Sequence, residues 1–339
     1  MKMPKTFQNI LIVRTDRIGD VVLTSPAIKA VRQFYPSARI SILVTPATYD
    51  LVYGNPYLDE VLIDDRQGKH KGFLGSLKLI QEIRSKKYDL AIIYHTKRRY
   101  NWACFMAGIP YRLGFKNNKF GFLLNYPLKD SRPSGEKHEA EYCMDVLRAI
   151  GIENNDLSLL VPVQKSAEDW AIQWMQENNV RSNDFIAIHP GASDPAKCWS
   201  NANFAELIDR LTGRYTLKIV LLGSASTGLN ATAILQQTRQ SSQCLNLTGR
   251  TSVAQMASLL RRSRLLISND SGPVHVAAGV GSSVISLFLR NDPGINPERW
   301  RPLGNKSFIL SNIPVTFSVE NVLDLTEEIF QKDNQYEIF

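Results

Sequence analysis

Short apolar runs alternate with amphipathic stretches of helical length, and the chain runs through this alternation twice. That double pattern limits the fold more than any other feature. In the first half, Asn9–Arg14, Arg39–Thr45, Glu60–Asp64 and Asp89–His95 read as buried strands. Pro26–Tyr35 and Leu74–Lys87 read as helices between them, and His138–Ile150 as the helix that closes the half. Apolar strands separated by helices need cover on both faces, which a parallel sheet with helices on each side supplies. The segment 151–184 reads as a connection that ends in a helix, Ala167–Asn178. The pattern then restarts. Phe185–His189, Leu217–Leu222, Cys244–Leu247, Arg264–Ser268 and Ser283–Phe288 read as strands, and Ser252–Ser263 and Gly272–Val280 as helices. Another helix follows Ser200. Its apolar residues Phe204, Leu207, Ile208 and Leu211 fall on one face, and Ser200 stands where an N-cap belongs. The expected architecture is α/β, with two doubly wound Rossmann-like domains, residues 1–160 and 161–339, and a final helix left to pack back on the first. In such sheets ligands bind at the carboxyl ends of the strands.

Composition narrows the setting. No run of about 18 uninterrupted apolar residues occurs, so no spanning helix is expected. The apolar run near the N-terminus lacks a following small-residue cleavage site, which points to a cytoplasmic protein. Cys104, Cys143, Cys198 and Cys244 are scattered, with no spacing that suggests zinc, and are expected to be reduced. Charge is unevenly placed. Residues 1–150 carry 24 Lys+Arg against 14 Asp+Glu, and residues 151–339 carry 16 against 18, so the net +8 belongs wholly to the first half. That field favours an anionic partner, whether nucleic acid, an acidic membrane surface or a phosphorylated glycolipid.

Four segments can carry chemistry. In Arg14-Thr-Asp-Arg-Ile-Gly-Asp20, a strand ends and a helix follows. Gly19 lets a ligand approach the backbone. Asp20 is either a first-turn acid favoured by the helix dipole or a general base that the dipole keeps ionised, at some loss of basicity. There is no GxGxxG here and no GxxxxGK[ST] anywhere, which excludes those phosphate motifs. In His189-Pro-Gly-Ala-Ser-Asp-Pro-Ala-Lys197-Cys-Trp199, Lys197 can meet a phosphate as a point charge, and the backbone N–H groups from Gly191 to Ser193 can add to it. The third, Asn269-Asp-Ser-Gly-Pro-Val-His275, opens a helix with Pro273 near its first position. The N–H groups of that turn suit an anion. Asp270 either caps the helix or accepts from a ligand hydroxyl, and His275 offers a further donor. The fourth, Arg290 to Gly304, is a Pro-rich loop whose role spacing does not reveal. Beyond these, basic residues and aromatics interleave from Lys97 to Lys129. Lys97, Arg98, Arg99, Arg112, Lys116 and Lys119 lie amid Phe115, Phe120 and Phe122. The run suits a phosphorylated lipid or single-stranded nucleic acid, or is a solvated face.

Together these motifs resemble the heptosyltransferases of glycosyltransferase family 9. The matching pieces are Arg17-Ile-Gly-Asp20 after a strand, the His189-Pro-Gly to Lys197-Cys-Trp199 loop, the Asn269–His275 corner and the Asp292-Pro to Trp300-Arg-Pro segment. They stand in the family's order over nearly the whole chain. The resemblance implies a GT-B fold, two Rossmann-like domains facing a central cleft, with acceptor on the first and nucleotide-sugar on the second. It implies that Asp20 is the general base. Donor contacts would come from Gly191, Ser193, Lys197, Asp270, Ser271, Gly272 and His275. The charge of the first half, not the resemblance, makes Lys97, Arg98, Arg99, Arg112 and Lys116, with Gly19, the candidate acceptor contacts. The donor would be ADP-heptose and the acceptor an anionic lipopolysaccharide core, joined with inversion and without a metal or other cofactor. Peripheral contact with the inner face of the inner membrane would follow, and nucleic acid would not be a partner. The chain departs from the family after Gly223, where Ser224-Ala-Ser-Thr-Gly228 lacks the acid often placed to hold the donor ribose. Other readings are a GT-B transferase of another sugar or onto a protein, a sugar-nucleotide epimerase, a nucleic-acid-binding module, and a binding protein without catalysis.

Overall fold

A computed structural model describes residues 6–118, 120–312 and 316–336, with side chains as far as Lys332. The chain divides into two compact units, Met1–Pro162 and Val163–Phe339.

The first unit is built on six parallel strands in the order β3-β2-β1-β4-β5-β6. These are β1 (Asn9–Val13), β2 (Arg39–Val44), β3 (Glu60–Ile63), β4 (Leu90–Ile93), β5 (Tyr111–Lys116) and β6 (Tyr126–Lys129). Its helices are α1 (Ile18–Val22), α2 (Ser25–Phe34), α3 (Gly72–Ser85), α4 (Arg98–Met106) and α5 (Glu139–Arg148). In β1, Leu11 and Val13 face one way, into a core with Leu79, Ile80 and Ile83 of α3 and Ala103 of α4. Ile10 and Ile12 point to the other face and are equally buried, as the two-residue repeat of a doubly covered strand requires.

The second unit repeats the plan as β12-β11-β10-β7-β8-β9. Its elements in chain order begin with α6 (Lys165–Glu177), β7 (Phe185–His189), α7 (Asn201–Arg214), β8 (Lys218–Leu221), α8 (Gly228–Gln237) and β9 (Cys244–Asn246). They continue with α9 (Val253–Arg262), β10 (Leu265–Asn269), α10 (Gly272–Gly279), β11 (Val284–Phe288), α11 (Pro297–Trp300), β12 (Ser307–Ser311) and α12 (Val319–Tyr336). Numbered within its own unit, each sheet reads 3-2-1-4-5-6, the dinucleotide-fold order that reverses direction between its first and fourth strands. Phe204, Leu207, Ile208 and Leu211 of α7 are all buried against Ile186, Ile188 and Ile219. The Ser200 side chain caps that helix by accepting from the Asn203 N–H at 3.1 Å. The final helix finds partners within its own unit. Val322, Leu323 and Phe330 join the core around α7, and Glu320 pairs with Arg210 and Arg214.

Three strands and three helices, α4, α8 and α11, lie where periodicity points to none. β5 and β6 fall inside the basic, aromatic run, and β12 near the C-terminus. β6 and β12 are edge strands, only partly buried; β6 is four residues long with a proline, and β12 is apolar only at its centre. α4 is short and begins in Arg98-Arg99, where local composition suggests a loop.

Candidate functional site

Each sheet places one cluster of functional side chains at its reversal point, where the carboxyl ends of two neighbouring strands diverge. In the first unit these are β1 and β4; in the second, β7 and β10.

The first cluster surrounds Arg14, the residue after β1, whose side chain is fully buried. Its guanidinium meets three carboxylates: Asp16 at 3.1 Å, Asp20 at 2.6 Å and Glu139 at 2.9 Å. Glu139 comes from the first turn of α5, and Arg132 approaches it at 4.0 Å while holding Asp130 at 2.8 Å. Asp20 is the third residue of α1, and its side chain is 13% exposed. It does not cap that helix; Arg17 stands at the cap position. Burial raises the Asp20 pKa to about 6, Arg14 pulls it down, and the neighbouring Asp16 and Glu139 push it up. The helix dipole is therefore not what sets its charge, since α1 is a single short turn and burial outweighs it. Asp20 stays mostly ionised at neutral pH and is a stronger base than a free aspartate, not a weaker one. Beside it, His95 follows β4 and shares a hydrogen bond with the Thr15 hydroxyl at 2.7 Å. Burial drives its pKa down to about 3, with Lys97, Arg14, Arg66 and Arg132 adding to the effect, so the ring is neutral.

The predicted basic face resolves into two kinds of residue. Lys97, Arg98 and Lys116 are exposed, and Gly19 is buried in α1. Arg99 is engaged within the unit. It grips both oxygens of buried Asp64 at 2.9 Å and donates to the His70 carbonyl at 3.0 Å. Arg112 is likewise engaged with the fold. Its Nε donates to the Leu123 carbonyl at 2.8 Å, its Nη1 to that of Ile109, and its guanidinium lies 5.3 Å from the Phe105 ring centre. These two acceptor candidates serve the fold because buried acceptors nearby would otherwise lack partners. Phe115 is buried beneath Arg132 at 4.1 Å. Lys119 lies outside the described residues.

The second cluster brings together the loop after β7 and the start of α10. Lys197 forms a direct ion pair with Asp270, across 73 residues of chain. Asp270 is 7% exposed; burial raises its pKa and Lys197 opposes the rise. Asp270 does not cap α10, for Ser271 holds the cap position. The Ser271 hydroxyl instead lies 3.2 Å from His189 Nδ1 and 3.0 Å from the Ser268 hydroxyl. Burial lowers the His189 pKa to about 4, so this ring is neutral too. Asn269 fixes the two loops to each other: its amide donates to the Pro190 carbonyl at 2.7 Å, and its oxygen accepts from the Trp199 N–H at 2.9 Å. Trp199 in turn packs on Phe204 and Phe317. Asp194 takes Arg290 at 2.6 Å, which ties the fourth motif to this loop. Gly191 is required by packing, because a Cβ there would stand 2.1 Å from Thr227 Cγ2. Gly223, at φ +155°, would meet Thr227 Oγ1 at the same distance. Ser193 is exposed, and His275 is buried within α10. The first N–H groups of α10, with Lys197 beside them, present positive potential to an anion.

Glu139, His95, Asn269 and Arg290 belong to these clusters but carry no role in the sequence reading. Only Asn269 and Arg290 lie inside one of the four motif segments. Among the described residues, no group of three or more His, Cys, Asp or Glu is placed to hold a metal ion. No described helix is long and apolar enough to cross a membrane.

Comparison with known proteins places this geometry. The family model of glycosyltransferase family 9 (heptosyltransferase) matches residues 76–322. Lipopolysaccharide heptosyltransferase 2 of Escherichia coli is 27% identical over 309 residues, covering 89% of this chain and 87% of that protein. Lipopolysaccharide heptosyltransferase 3 of the same organism is 26% identical over 291 residues, covering 84% and 82%. A glycosyl transferase family 9 structure from Veillonella parvula superposes with a TM-score of 0.88 at 22% identity, over 98% of this chain and 99% of that one. The two Rossmann-like units are those of the GT-B fold found in heptosyltransferase structures.

Proposed function

The chain belongs to glycosyltransferase family 9, and from that premise we propose that it transfers heptose from ADP-heptose to the inner core of lipopolysaccharide, inverting the anomeric carbon with Asp20 as general base. The observation that carries the mechanism is Asp20 itself. Its carboxylate has a pKa raised to about 6 and sits at the reversal point of the first sheet. At pH 7 such a group is about nine-tenths ionised and basic enough to take a hydroxyl proton.

The atoms balance simply. An acceptor oxygen attacks the anomeric carbon, its proton passes to an Asp20 oxygen, and the bond to the β-phosphate oxygen breaks with its electron pair on ADP. The diphosphate lies against the start of α10. Lys197 has three donors, and Asp270 occupies one, which orients the ammonium and leaves two for phosphate oxygens. Charge growing on the leaving group is then met by donors already in place. Lys97, Arg98 and Lys116 hold the anionic groups of the core. No metal takes part, and the enzyme works in the cytoplasm at the inner face of the membrane. Nucleic acid is not a partner. The acid-free segment Ser224–Gly228 favours one second reading, a GT-B transferase using a different nucleotide-sugar.

The test is product mass after incubation with ADP-heptose and truncated lipopolysaccharide acceptors, with and without EDTA. A gain of one heptose that survives EDTA is expected, and no gain from a folded protein sends the donor question to Ser224–Gly228. Asp20→Asn is expected to lower turnover about 10²- to 10⁴-fold. It is not expected to lower stability. Because burial raises the folded pKa, Asp20 contributes stability only while protonated, and that contribution is lost as pH rises toward and through about 6. The neutral amide therefore melts at or above the parent temperature at pH 7. Near-normal turnover in the variant would remove Asp20 from the mechanism.

A further inference from the structure

The strongest unexplained feature lies on the surface of the first unit. Six of the large apolar side chains left exposed by the fold come from α3, α4 and the turn Gly121–Leu123 with its flank: Phe73, Leu74, Phe105, Met106, Phe120 and Phe122. Phe73, Leu74 and Phe122 are 69%, 73% and 74% exposed, values that no core role explains. They are not scattered. α3 packs on α4, and α4 packs on the turn. The Phe73 and Trp102 rings lie 6.5 Å apart, Phe120 and Phe122 5.7 Å apart, and Arg84 reaches from α3 to the Met106 carbonyl. Isolated apolar residues on a surface are ordinary, but a run of aromatics across adjoining elements marks an interaction face.

The charge around them identifies the partner. The segment Arg66–Lys129 contains 14 Lys+Arg and only two acids, Glu82 and Asp89, more positive charge than the whole chain's net of +8. Both acids are engaged within the unit. Glu82 pairs with Lys69 and His70, and Asp89 accepts from the backbone of Gln8 and Asn9. Lys71, Lys78 and Arg98 are exposed at or within the helices that carry the aromatics. A protein partner would need matching acids and a matching groove. A bilayer bearing anionic lipid needs only a cationic surface with apolar side chains able to enter the interface, and aromatic rings favour that depth.

We propose that α3, α4 and the turn Gly121–Leu123 form a docking face for an anionic phospholipid bilayer, with Phe73, Leu74 and Phe122 entering the interface and Lys71 and Lys78 drawn to its headgroups. This extends the function proposed above, in which the acceptor is a membrane lipid. Docking brings the enzyme to the surface where that acceptor is anchored.

The test uses the full chain and acceptor-free vesicles, so it reads binding apart from transfer. Co-sedimentation is measured with vesicles of phosphatidylcholine alone and with 30 mol% phosphatidylglycerol (roughly the anionic content that gives a marked surface potential). Binding is expected to the anionic vesicles only, and to weaken as salt rises. Phe73→Ser with Leu74→Ser, and separately Phe122→Ser, should weaken it roughly tenfold or more. Lys78→Glu should weaken it at low salt and less so at high salt. All four side chains changed are exposed, so melting temperatures should stay at the parent value, and transfer to a soluble, deacylated acceptor should be unchanged. Equal binding to neutral and anionic vesicles, no binding to either, or full binding by the serine variants would each overturn the proposal. So would a dimer that the serine variants dissociate, since the face would then be covered by a second copy. Vesicle binding without any heptosyl transfer would leave this proposal standing and overturn the function.

Discussion

Replacing Glu139 by Gln should move the pH dependence of the reaction without touching either substrate. Asp20 and Glu139 share one Arg14 nitrogen, at 2.6 and 2.9 Å, so their bonded oxygens are no more than about 5.5 Å apart. Two like charges at that separation repel by about 3 kcal/mol at an effective dielectric constant of ~20, or about two pK units. Water reaching the 13% of the Asp20 side chain that is exposed screens part of this. Burial and Asp16 raise Asp20 more than Glu139 does, so a fall of about one unit at most is expected, from about 6 toward the ordinary carboxylate range. Arg14 adds to the fall, because one carboxylate fewer competes for it. The other charged groups around Asp20, namely Asp16, Arg17 and Arg132, are unchanged by the substitution. The assay is kcat/KM against pH, whose acid limb reports the essential base of the free enzyme. That limb should shift to lower pH by the stated amount, while activity at pH 8 falls only modestly as the base weakens. Gln keeps an acceptor oxygen for Arg14, and Arg14 keeps two carboxylates, so the protein should still fold. The loss in stability should stay under the ~3–5 kcal/mol typical of a broken buried pair. An acid limb that stays in place while the variant melts normally would refute the electrostatic account of Asp20.

Two more substitutions test the second unit. Lys197→Met should weaken ADP binding measured by calorimetry about 10- to 100-fold, as expected from losing a charged hydrogen bond worth about 1.5–3 kcal/mol. It should also leave Asp270 protonated to higher pH, since the cation opposing its upward shift is gone. Unchanged ADP affinity would place the diphosphate elsewhere. Gly191→Ala drives a methyl to 2.1 Å from Thr227 Cγ2 and should cost about 1–3 kcal/mol in urea unfolding. Thr227→Ser, which deletes that Cγ2, should recover part of the loss. A Gly191→Ala protein as stable as the parent would show that Thr227 yields without cost and that packing does not require glycine there.

The sequence by itself determined the architecture. Strand and helix periodicity report how each segment meets its own surroundings, and that is a local property. Ile10 to Val13 and Phe185 to His189 are apolar because both faces of a central strand are covered. Ser200 precedes a run whose fourfold apolar spacing already states where α7 begins and which face it buries. The motifs around Asp20, Lys197 and Asp270 were legible for the same reason: each sits where a strand gives way to a loop or helix, and residue type and position suffice. The edge strands β6 and β12 were not legible, because Tyr126-Pro-Leu-Lys129 is short and carries a proline, and Ser307–Ser311 is apolar only at its centre. What only the tertiary structure decided is which charges are free and which are held. Glu139 reaches Arg14 from 125 residues away, Lys197 reaches Asp270 from 73, and Arg99 reaches Asp64 from 35. Nothing in a local window encodes such pairs. The order of strands brings their elements together, and burial then makes an unpaired charge too costly to leave. That same burial raised Asp20 to about 6 where a helix start alone would have lowered it. The residue type at position 20 was written in the sequence, and its proton affinity was set by the chain segments that close around it.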